Sequence, residues 1–138
     1  MRYFLDTHIL FFYVVDKDEL TREVEDILED PRNLIYIPAR CVEELIHLHH
    51  SGRITVKRWK TAEDIVHTIT EELGFGIKHT GNEHLITLAR LPFFSDHRDP
   101  TDRIAIAQAI TEKTPIISSD RQFPRYKRFG LELVFNKR

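Results

Sequence analysis

The sequence contains a single cysteine, Cys41, and lacks any apolar run as long as a membrane-spanning helix requires. One cysteine excludes an internal disulfide and is typical of proteins in a reducing compartment. Residues 1–16 are mostly apolar, but Asp6 and His8 interrupt them and there is no small-residue cleavage site, so they do not match a signal peptide. These features predict a cytoplasmic protein without a membrane partner.

Neither sign of charge dominates the chain, whose formal net charge of −2 excludes a strongly basic coat protein. A Gly-rich phosphate loop is also missing, which argues against turnover of nucleoside triphosphates. Repeats, linkers and low-complexity segments are missing as well, so we expect one domain over residues 1–138. With 41% hydrophobic and 30% charged residues, the chain has the composition of a soluble globular domain.

Basic residues nevertheless cluster in two segments, 53–60 and 121–138, and such segments could hold a polyanion. Ordinary solvated surface is the alternative interpretation of each segment. Trp59 and Tyr126 lie within them and could stack on bases, or could be partly buried or contact a partner. The basic residues are Arg53, Lys57, Arg58 and Lys60 in the first segment, and Arg121, Arg125, Lys127, Arg128, Lys137 and Arg138 in the second.

Short apolar stretches alternate with helical patterns along the whole chain. Strands are predicted at residues 3–5, 34–37, 75–79, 115–119 and 131–135. Helices are predicted at residues 7–15, 19–30, 38–50, 61–73, 81–91 and 99–113. This alternation predicts an α/β fold, with a mostly parallel central sheet covered by helices on both faces. In such sheets, functional residues collect beyond the carboxyl ends of the strands.

Two aspartates follow predicted strands directly, Asp6 after the first and Asp120 after the fourth. Each could simply cap the helix that follows it, because Asp is a favourable N-cap residue. If both strands are central and parallel, however, the two carboxylates emerge at the same edge of the sheet. Their matching positions favour this second interpretation.

Two further acidic residues lie on predicted helices. At about 100° per residue, the apolar face of the helix after Pro38 leaves Glu43 toward solvent and Glu44 at its edge, able to reach inward. Asp99, Pro100 and Asp102 form a favourable helix start, and the helix that follows is apolar nearly all round. Asp102 therefore faces protein or a cleft, where it needs a positive partner that the neighbouring Arg103 is not placed to provide.

Asp6, Glu44, Asp102 and Asp120 are thus expected to converge, with Asp99 close by. Carboxylates packed together repel one another unless some are protonated or a cation lies among them. A ligand set made only of oxygen suits Mg²⁺ or Mn²⁺. A carboxylate-held ion of this kind commonly acts on phosphates, and hydrolysis of a phosphodiester is the reaction that fits best.

The segments "YFLDTHILFFYV", "CVEELIHLHHSGRI", "HRDPTDRIAIAQAI" and "PIISSDRQF" resemble the PIN-domain ribonucleases, in particular the VapC-type toxins of bacterial toxin–antitoxin pairs. The resemblance implies a three-layer α/β/α sandwich, a Mg²⁺- or Mn²⁺-dependent endoribonuclease, a homodimer and a small VapB-type antitoxin. It implies that Asp6, Glu44, Asp102 and Asp120 are the catalytic and metal-binding acids, that Asp99 is a further acid near the metal, and that Thr7 supports the first carboxylate. Among the basic residues, Arg53, Lys57, Arg121, Arg125 and Arg128 are predicted to contact RNA.

Other functions remain open at this stage. A PIN-fold nuclease of RNA maturation or decay would carry the same acids. A phospho-accepting receiver domain would need a Lys at a late strand end, where this chain has "SSDR". A non-catalytic binding module would not need all four acids. His47 and His50 could share a zinc ion, although a solvated polar face is the favoured interpretation.

Overall fold

The computed structural model describes residues 1–138, and its centre is a five-stranded sheet in which every neighbouring pair is parallel. The order across the sheet is β3-β2-β1-β4-β5. The strands are β1 (Arg2–Leu5), β2 (Leu34–Pro38), β3 (Gly76–Lys78), β4 (Ile116–Ser118) and β5 (Leu133–Phe135). The predicted α/β class is confirmed, and all five predicted strands are present.

Six α-helices connect and cover the strands. They are α1 (Thr7–Val15), α2 (Arg22–Glu29), α3 (Ala39–His50), α4 (Glu63–His67), α5 (Asn82–Arg90) and α6 (Pro100–Glu112). Short 3₁₀ helices occupy Lys17–Glu19 and Phe123–Phe129, and a π-helical turn, Thr68–Glu72, continues α4. None of these helices combines the length and the apolar character needed to cross a bilayer.

The central strands are covered on both faces. Consecutive residues of a strand point to opposite faces, yet Phe4 and Leu5 of β1 are both completely buried, as are Ile116 and Ile117 of β4. Helices must therefore pack against each side of the sheet, as expected for a parallel sheet. The result is the predicted three-layer α/β/α sandwich.

The pairing of β1 with β4 decides where the functional edge lies. Phe4 is opposite Ile116 and Leu5 is opposite Ile117, so the two strands end at nearly the same level. The backbone N–H of Asp6 continues this pairing by donating to the carbonyl of Ile117 at 3.2 Å. Side chains that follow β1 and β4 therefore lie at one edge of the sheet.

Helix α6 is buried along most of its length, as its apolar sequence predicts. Asp99 is its N-cap, with Oδ1 accepting hydrogen bonds from the backbone N–H groups of Thr101 at 2.9 Å and Asp102 at 3.3 Å. Pro100 occupies the first turn, where its missing N–H is not needed. The first turn of α6 thereby positions Asp102 at the functional edge, and the rest of the helix packs in the core.

The structure differs from the sequence-based expectations in two helical segments. The single helix predicted over residues 61–73 is α4 followed by the π-helical turn, and the 3₁₀ helix Phe123–Phe129 was not predicted. Of the interpretations left open for Trp59 and Tyr126, burial is the correct one, because they are only 2% and 0% exposed and neither side chain can stack on an RNA base. The Trp59 indole N–H instead donates to Oγ1 of Thr68 at 3.0 Å.

Candidate active site

Asp6 lies at the junction between β1 and α1 and is buried, at 4% exposure. Its Oδ1 caps α1 by accepting from the backbone N–H of Ile9 at 3.0 Å, and its Oδ2 accepts from the hydroxyl of Ser118 at 2.5 Å. Burial raises the pKa of this carboxyl, and the two hydrogen bonds partly offset that effect. Asp6 is thus both a helix cap and a partly desolvated acid.

Ser118, the last residue of β4, joins the ends of the two central strands. Its Oγ donates to Asp6 and accepts from the backbone N–H of Asp120 at 3.0 Å. Asp120 is further held because its Oδ1 accepts from the backbone N–H of Gln122 at 2.8 Å. A completely buried hydroxyl therefore sets the position of two acids that are distant in sequence.

Asp102 enters the same region from α6, with 23% of its side chain exposed. The pKa of Asp102 is raised to about 8, first by burial and then by the nearby negative charges of Asp99, Asp120, Asp6 and Glu44. Each of these four carboxyl groups is therefore close enough to act electrostatically on Asp102. No lysine or arginine forms an ion pair with Asp102. The only basic side chain within ion-pair distance of its carboxylate is that of His97.

His97 lies between Asp102 and the core. Its Nε2 is 3.2 Å from Oδ2 of Asp102, and its Nδ1 is 2.7 Å from the hydroxyl of Tyr126. Arg103 completes the chain of contacts, since its Nη1 donates to the carbonyl of Pro92 at 3.0 Å and lies 3.4 Å from the Tyr126 hydroxyl. The imidazole is buried, and this burial lowers its pKa.

The direction of these hydrogen bonds follows from Arg103, which can only donate. We assign the Tyr126 oxygen as its acceptor, so the Tyr126 O–H is free to donate to Nδ1 of a neutral His97. The remaining proton of the imidazole is then on Nε2, from which it donates to the Asp102 carboxylate. The buried relay Arg103–Tyr126–His97 therefore orients Asp102.

Glu43 and Glu44 differ as their helical positions predict. Glu43 is exposed, whereas Glu44 is half-buried and acts electrostatically on Asp102. Glu44 lines a cleft of about 310 Å³ together with Arg40, Glu43, His47 and Thr101. A second cleft, of about 180 Å³, adjoins the other acids and is lined by Asp6, His8, Phe12, Ser119, Asp120 and Arg138.

One part of this region has the spacing of a metal site. His97, Asp102 and Asp120 each place a ring nitrogen or carboxylate oxygen within 4.8 Å of the others, but both ring nitrogens of His97 are hydrogen-bonded, so the carboxylates of Asp102 and Asp120 are the atoms of this group that could bind a cation. A second group with this spacing consists of Glu83, His84 and Glu112 and contains none of the predicted acids. Glu112 of this group already forms ion pairs with Arg2, Lys78 and His84. The acidic edge of the sheet is therefore the arrangement that could hold a divalent cation.

The sequence model of the PIN domain family matches residues 3–129 of this chain. The chain belongs to the PIN domain family. A search of curated proteins gives no match. The resemblance inferred from the four sequence segments is therefore confirmed at the level of the family.

Solved structures with the same fold support this assignment. VapBC2 from Rickettsia felis bound to a promoter DNA fragment is 17% identical, with a TM-score of 0.74 and 98% of both chains covered. DNA-bound VapBC from Salmonella typhimurium is 15% identical, with a TM-score of 0.68 and 98% of both chains covered. FitAcB from Neisseria gonorrhoeae is 16% identical, with a TM-score of 0.66, and the match covers 97% of this chain and 96% of that chain. At these identities the likeness concerns the fold alone.

Thr7 and Asp99 are the two residues predicted to support the acids of this PIN domain. Thr7 is buried, and the hydroxyl that donates to the Asp6 carboxylate is that of Ser118. Asp99 is an exposed helix cap, and its negative charge acts on Asp102. The support of Asp6 by Thr7 and the place of Asp99 near a metal ion stay predictions.

The basic residues predicted to contact RNA do not line either cleft. Arg125 is already engaged, donating to Asp96 at 2.9 Å and to Gln122 at 2.7 Å and lying 3.8 Å from the centre of the Phe94 ring. Arg58, a further residue of the first basic segment, pairs with Glu72. Exposed positions on the surface are occupied by Arg53, Lys57, Arg121 and Arg128.

Sequence reasoning missed Ser118, His97 and Tyr126. Ser118 carried a usable signal, because a hydroxyl residue at the end of a central strand, two positions before an acid, is placed to bridge neighbouring loops. His97 lies five residues before Asp102, but its contact depends on how the loop before α6 folds back. No local pattern indicates the pairing of His97 with Tyr126, which lies 29 residues away.

Proposed function

We propose that this PIN domain is a metal-dependent endoribonuclease and the toxin of a VapB–VapC type pair. The observation that carries the proposal is the uncompensated acidic cluster. Asp102 is strongly shifted toward its protonated form by burial and by four neighbouring carboxylates, and none of the four predicted acids pairs with a lysine or arginine. A divalent cation is the simplest partner for such a group.

The donor set fits a hard divalent ion. Asp6, Asp102 and Asp120 would supply carboxylate oxygens, with Glu44 and Asp99 at the margin, and Mg²⁺ or Mn²⁺ prefers such ligands. When bound, the ion would neutralise charge on a phosphodiester and make a water molecule a better nucleophile. Two of these acids are already held in position by hydrogen bonds, Asp6 by the hydroxyl of Ser118 and Asp102 by the imidazole of His97.

The partner follows from the structural neighbours, two of which are named VapBC and are bound to DNA. We propose that this chain likewise has a VapB-type antitoxin, which covers the acidic cleft.

A homodimer is supported by exposed apolar side chains, Leu85 and Ile86 on α5 and Phe93 beyond it, which are 50%, 51% and 68% exposed. A buried, unpaired Cys41 is consistent with action in a reducing cytoplasm.

The function is tested by incubating the purified chain with RNA in EDTA, Mg²⁺ or Mn²⁺. We expect cleavage only with metal, and we expect Asp6→Asn and Asp120→Asn to lower it by more than the roughly 10–100-fold typical of losing an outer-shell group. Asp18→Asn, at an exposed position in the 3₁₀ helix after α1, is the matched control and should cleave normally. Metal-independent cleavage, or full activity of Asp6→Asn, would contradict the proposal.

Isothermal titration with Mn²⁺ gives a second readout that does not depend on substrate. Wild type should bind Mn²⁺, and Asp102→Asn should bind it much more weakly. Expression in a growing host separates the two biological roles, because a toxin arrests growth unless its antitoxin is present. A chain that cleaves RNA without arresting growth would favour a maturation or decay nuclease instead.

A further inference from the structure

The arginines that line the clefts beside the acids are not among the five basic residues predicted to contact RNA: Arg138 belongs to the second basic segment but not to that set, and Arg40 lies in neither segment. Arg138 lines the cleft that contains Asp6 and Asp120, and Arg40 lines the cleft that contains Glu44. The two clefts share no lining residue and contain different acids, Asp6 and Asp120 in one and Glu44 in the other. A phosphate chain that contacts both clefts would therefore meet one arginine in each.

Arg138 is held in place at the first cleft. Its Nε donates to Oε2 of Glu19 at 2.7 Å, and its guanidinium lies 4.7 Å from the centre of the Phe12 ring. The side chain is still 52% exposed, and its two terminal nitrogens take part in no hydrogen bond within the protein. Stacking on an aromatic ring while other donors stay free is a common way to present arginine to phosphate.

A buried asparagine fixes the segment that carries Arg138. Asn136, which is completely buried, accepts from the backbone N–H of Thr21 at 2.7 Å and donates through Nδ2 to the carbonyl of Glu19 and to Oγ of Ser119, both at 2.8 Å. Its own backbone N–H donates to the carbonyl of Ser118 at 2.8 Å. The segment after β5 is thus tied to the loop that carries Asp120, and little ordering remains when a ligand binds.

Arg40 occupies the corresponding position at the second cleft. It lies in the first turn of α3, four residues before Glu44, so the two side chains share one face of the helix. Arg40 is exposed and takes part in no ion pair, although Glu43 and Glu44 line the same cleft. An unpaired arginine beside an acidic edge is available to an incoming anion.

We propose that a single RNA strand crosses the acidic cluster with its phosphates held by Arg138 on one side and by Arg40 on the other. This inference rests on the proposed ribonuclease function. The acids repel phosphate, and charge interactions are screened beyond about 8–10 Å at physiological salt. Cations that line the clefts should therefore contribute most to substrate binding, while the basic residues outside the clefts contribute mainly to the first encounter.

The test is the affinity for a fluorescein-labelled 12-nucleotide single-stranded RNA, followed by anisotropy over a salt series in EDTA. Asp102→Asn serves as the background, because it is expected neither to cleave the RNA nor to bind the metal strongly. In that background, Arg138→Ala and Arg40→Ala should each weaken binding roughly fivefold. Each should also reduce the slope of log affinity against log salt by about 0.7, as expected for one lost phosphate contact to a single strand.

Two controls carry the same change in charge. Arg22→Ala removes an exposed arginine from α2, outside both clefts, and should leave affinity and slope unchanged. Arg128→Ala tests the basic segment predicted from sequence and should have a smaller effect than Arg138→Ala. Arg138→Lys, which keeps the charge, should recover part of the binding.

The outcomes separate this inference from the function on which it rests. If wild type cleaves RNA but Arg138→Ala and Arg40→Ala bind like Arg22→Ala, the ribonuclease stands and the two-arginine path is wrong. If wild type neither binds nor cleaves RNA, the proposed function fails and the path fails with it. An Arg128→Ala effect equal to or larger than that of Arg138→Ala would also overturn the path.

Discussion

Replacing Asp102 by asparagine should stabilise the metal-free protein. The carboxyl group is largely buried, and four other carboxyl groups raise its pKa. Asparagine has nearly the same shape, and its amide oxygen can still accept the hydrogen bond from His97. The substitution therefore removes a repelled charge while keeping the packing and the contact with the imidazole.

The size and the pH dependence follow from the pKa of Asp102, which rises from 3.8 to about 8. An acid with a raised pKa binds its proton more tightly in the folded state, so stability is lost as pH rises from about 4 to about 8. A shift of about four units corresponds to at most about 6 kcal/mol. The neighbouring carboxyl groups titrate together with Asp102, so only part of this free energy belongs to Asp102 itself. We therefore expect Asp102→Asn to raise the free energy of unfolding at pH 7 by about 1–3 kcal/mol, which corresponds to a rise of roughly 3–12 °C in Tm.

The assay is thermal unfolding in EDTA at several pH values between 4 and 8.5. Asp102→Asn should melt higher than wild type at pH 7, and the difference should shrink toward pH 4, which is close to the ordinary carboxyl pKa of 3.8, so that the unfolded state also takes up the proton. Asp18→Asn is the exposed control and should follow wild type. Added Mn²⁺ should raise the Tm of wild type but not of Asp102→Asn.

Two results would refute this reasoning. If Asp102→Asn melts lower than wild type in EDTA at pH 7, the carboxylate stabilises the fold and the acids are not in net repulsion. If the difference is the same at every pH, it comes from packing and not from the charge of Asp102.

Three further experiments test other parts of the structure. Glu44→Gln should weaken Mn²⁺ binding measured by titration, whereas Glu43→Gln should not, and the reverse result would show that the wrong face of α3 meets the acids. Tyr126→Phe leaves Nδ1 of His97 without its donor, so unfolding in urea should show a loss of about 1–3 kcal/mol; unchanged stability would argue against the relay. In Gly76→Ala the new methyl group would lie 2.6 Å from Cδ1 of Tyr36, so we expect a loss of about 1–3 kcal/mol, and a neutral result would mean that the ring moves aside freely.

The sequence by itself determined the features that depend on residues close together in the chain. Alternating apolar strands and helices predicted the parallel sheet, and the start of α6 at Asp99 and Pro100 followed from capping preferences. The different burial of Glu43 and Glu44 followed from helical periodicity. These predictions succeed because backbone geometry relates neighbouring residues in the same way in every protein.

Only the tertiary structure decided which distant side chains meet. The hydroxyl of Ser118 reaches Asp6 because β4 lies beside β1 in the sheet. The sequence of one strand does not indicate which other strand will lie next to it. The basic segment 121–138 looked uniform in sequence, yet Arg125 is tied to Asp96 while Arg138 borders the acids. Strand order and loop packing are collective results of burying one core, so the contacts that orient the acids emerge only when the whole chain has folded.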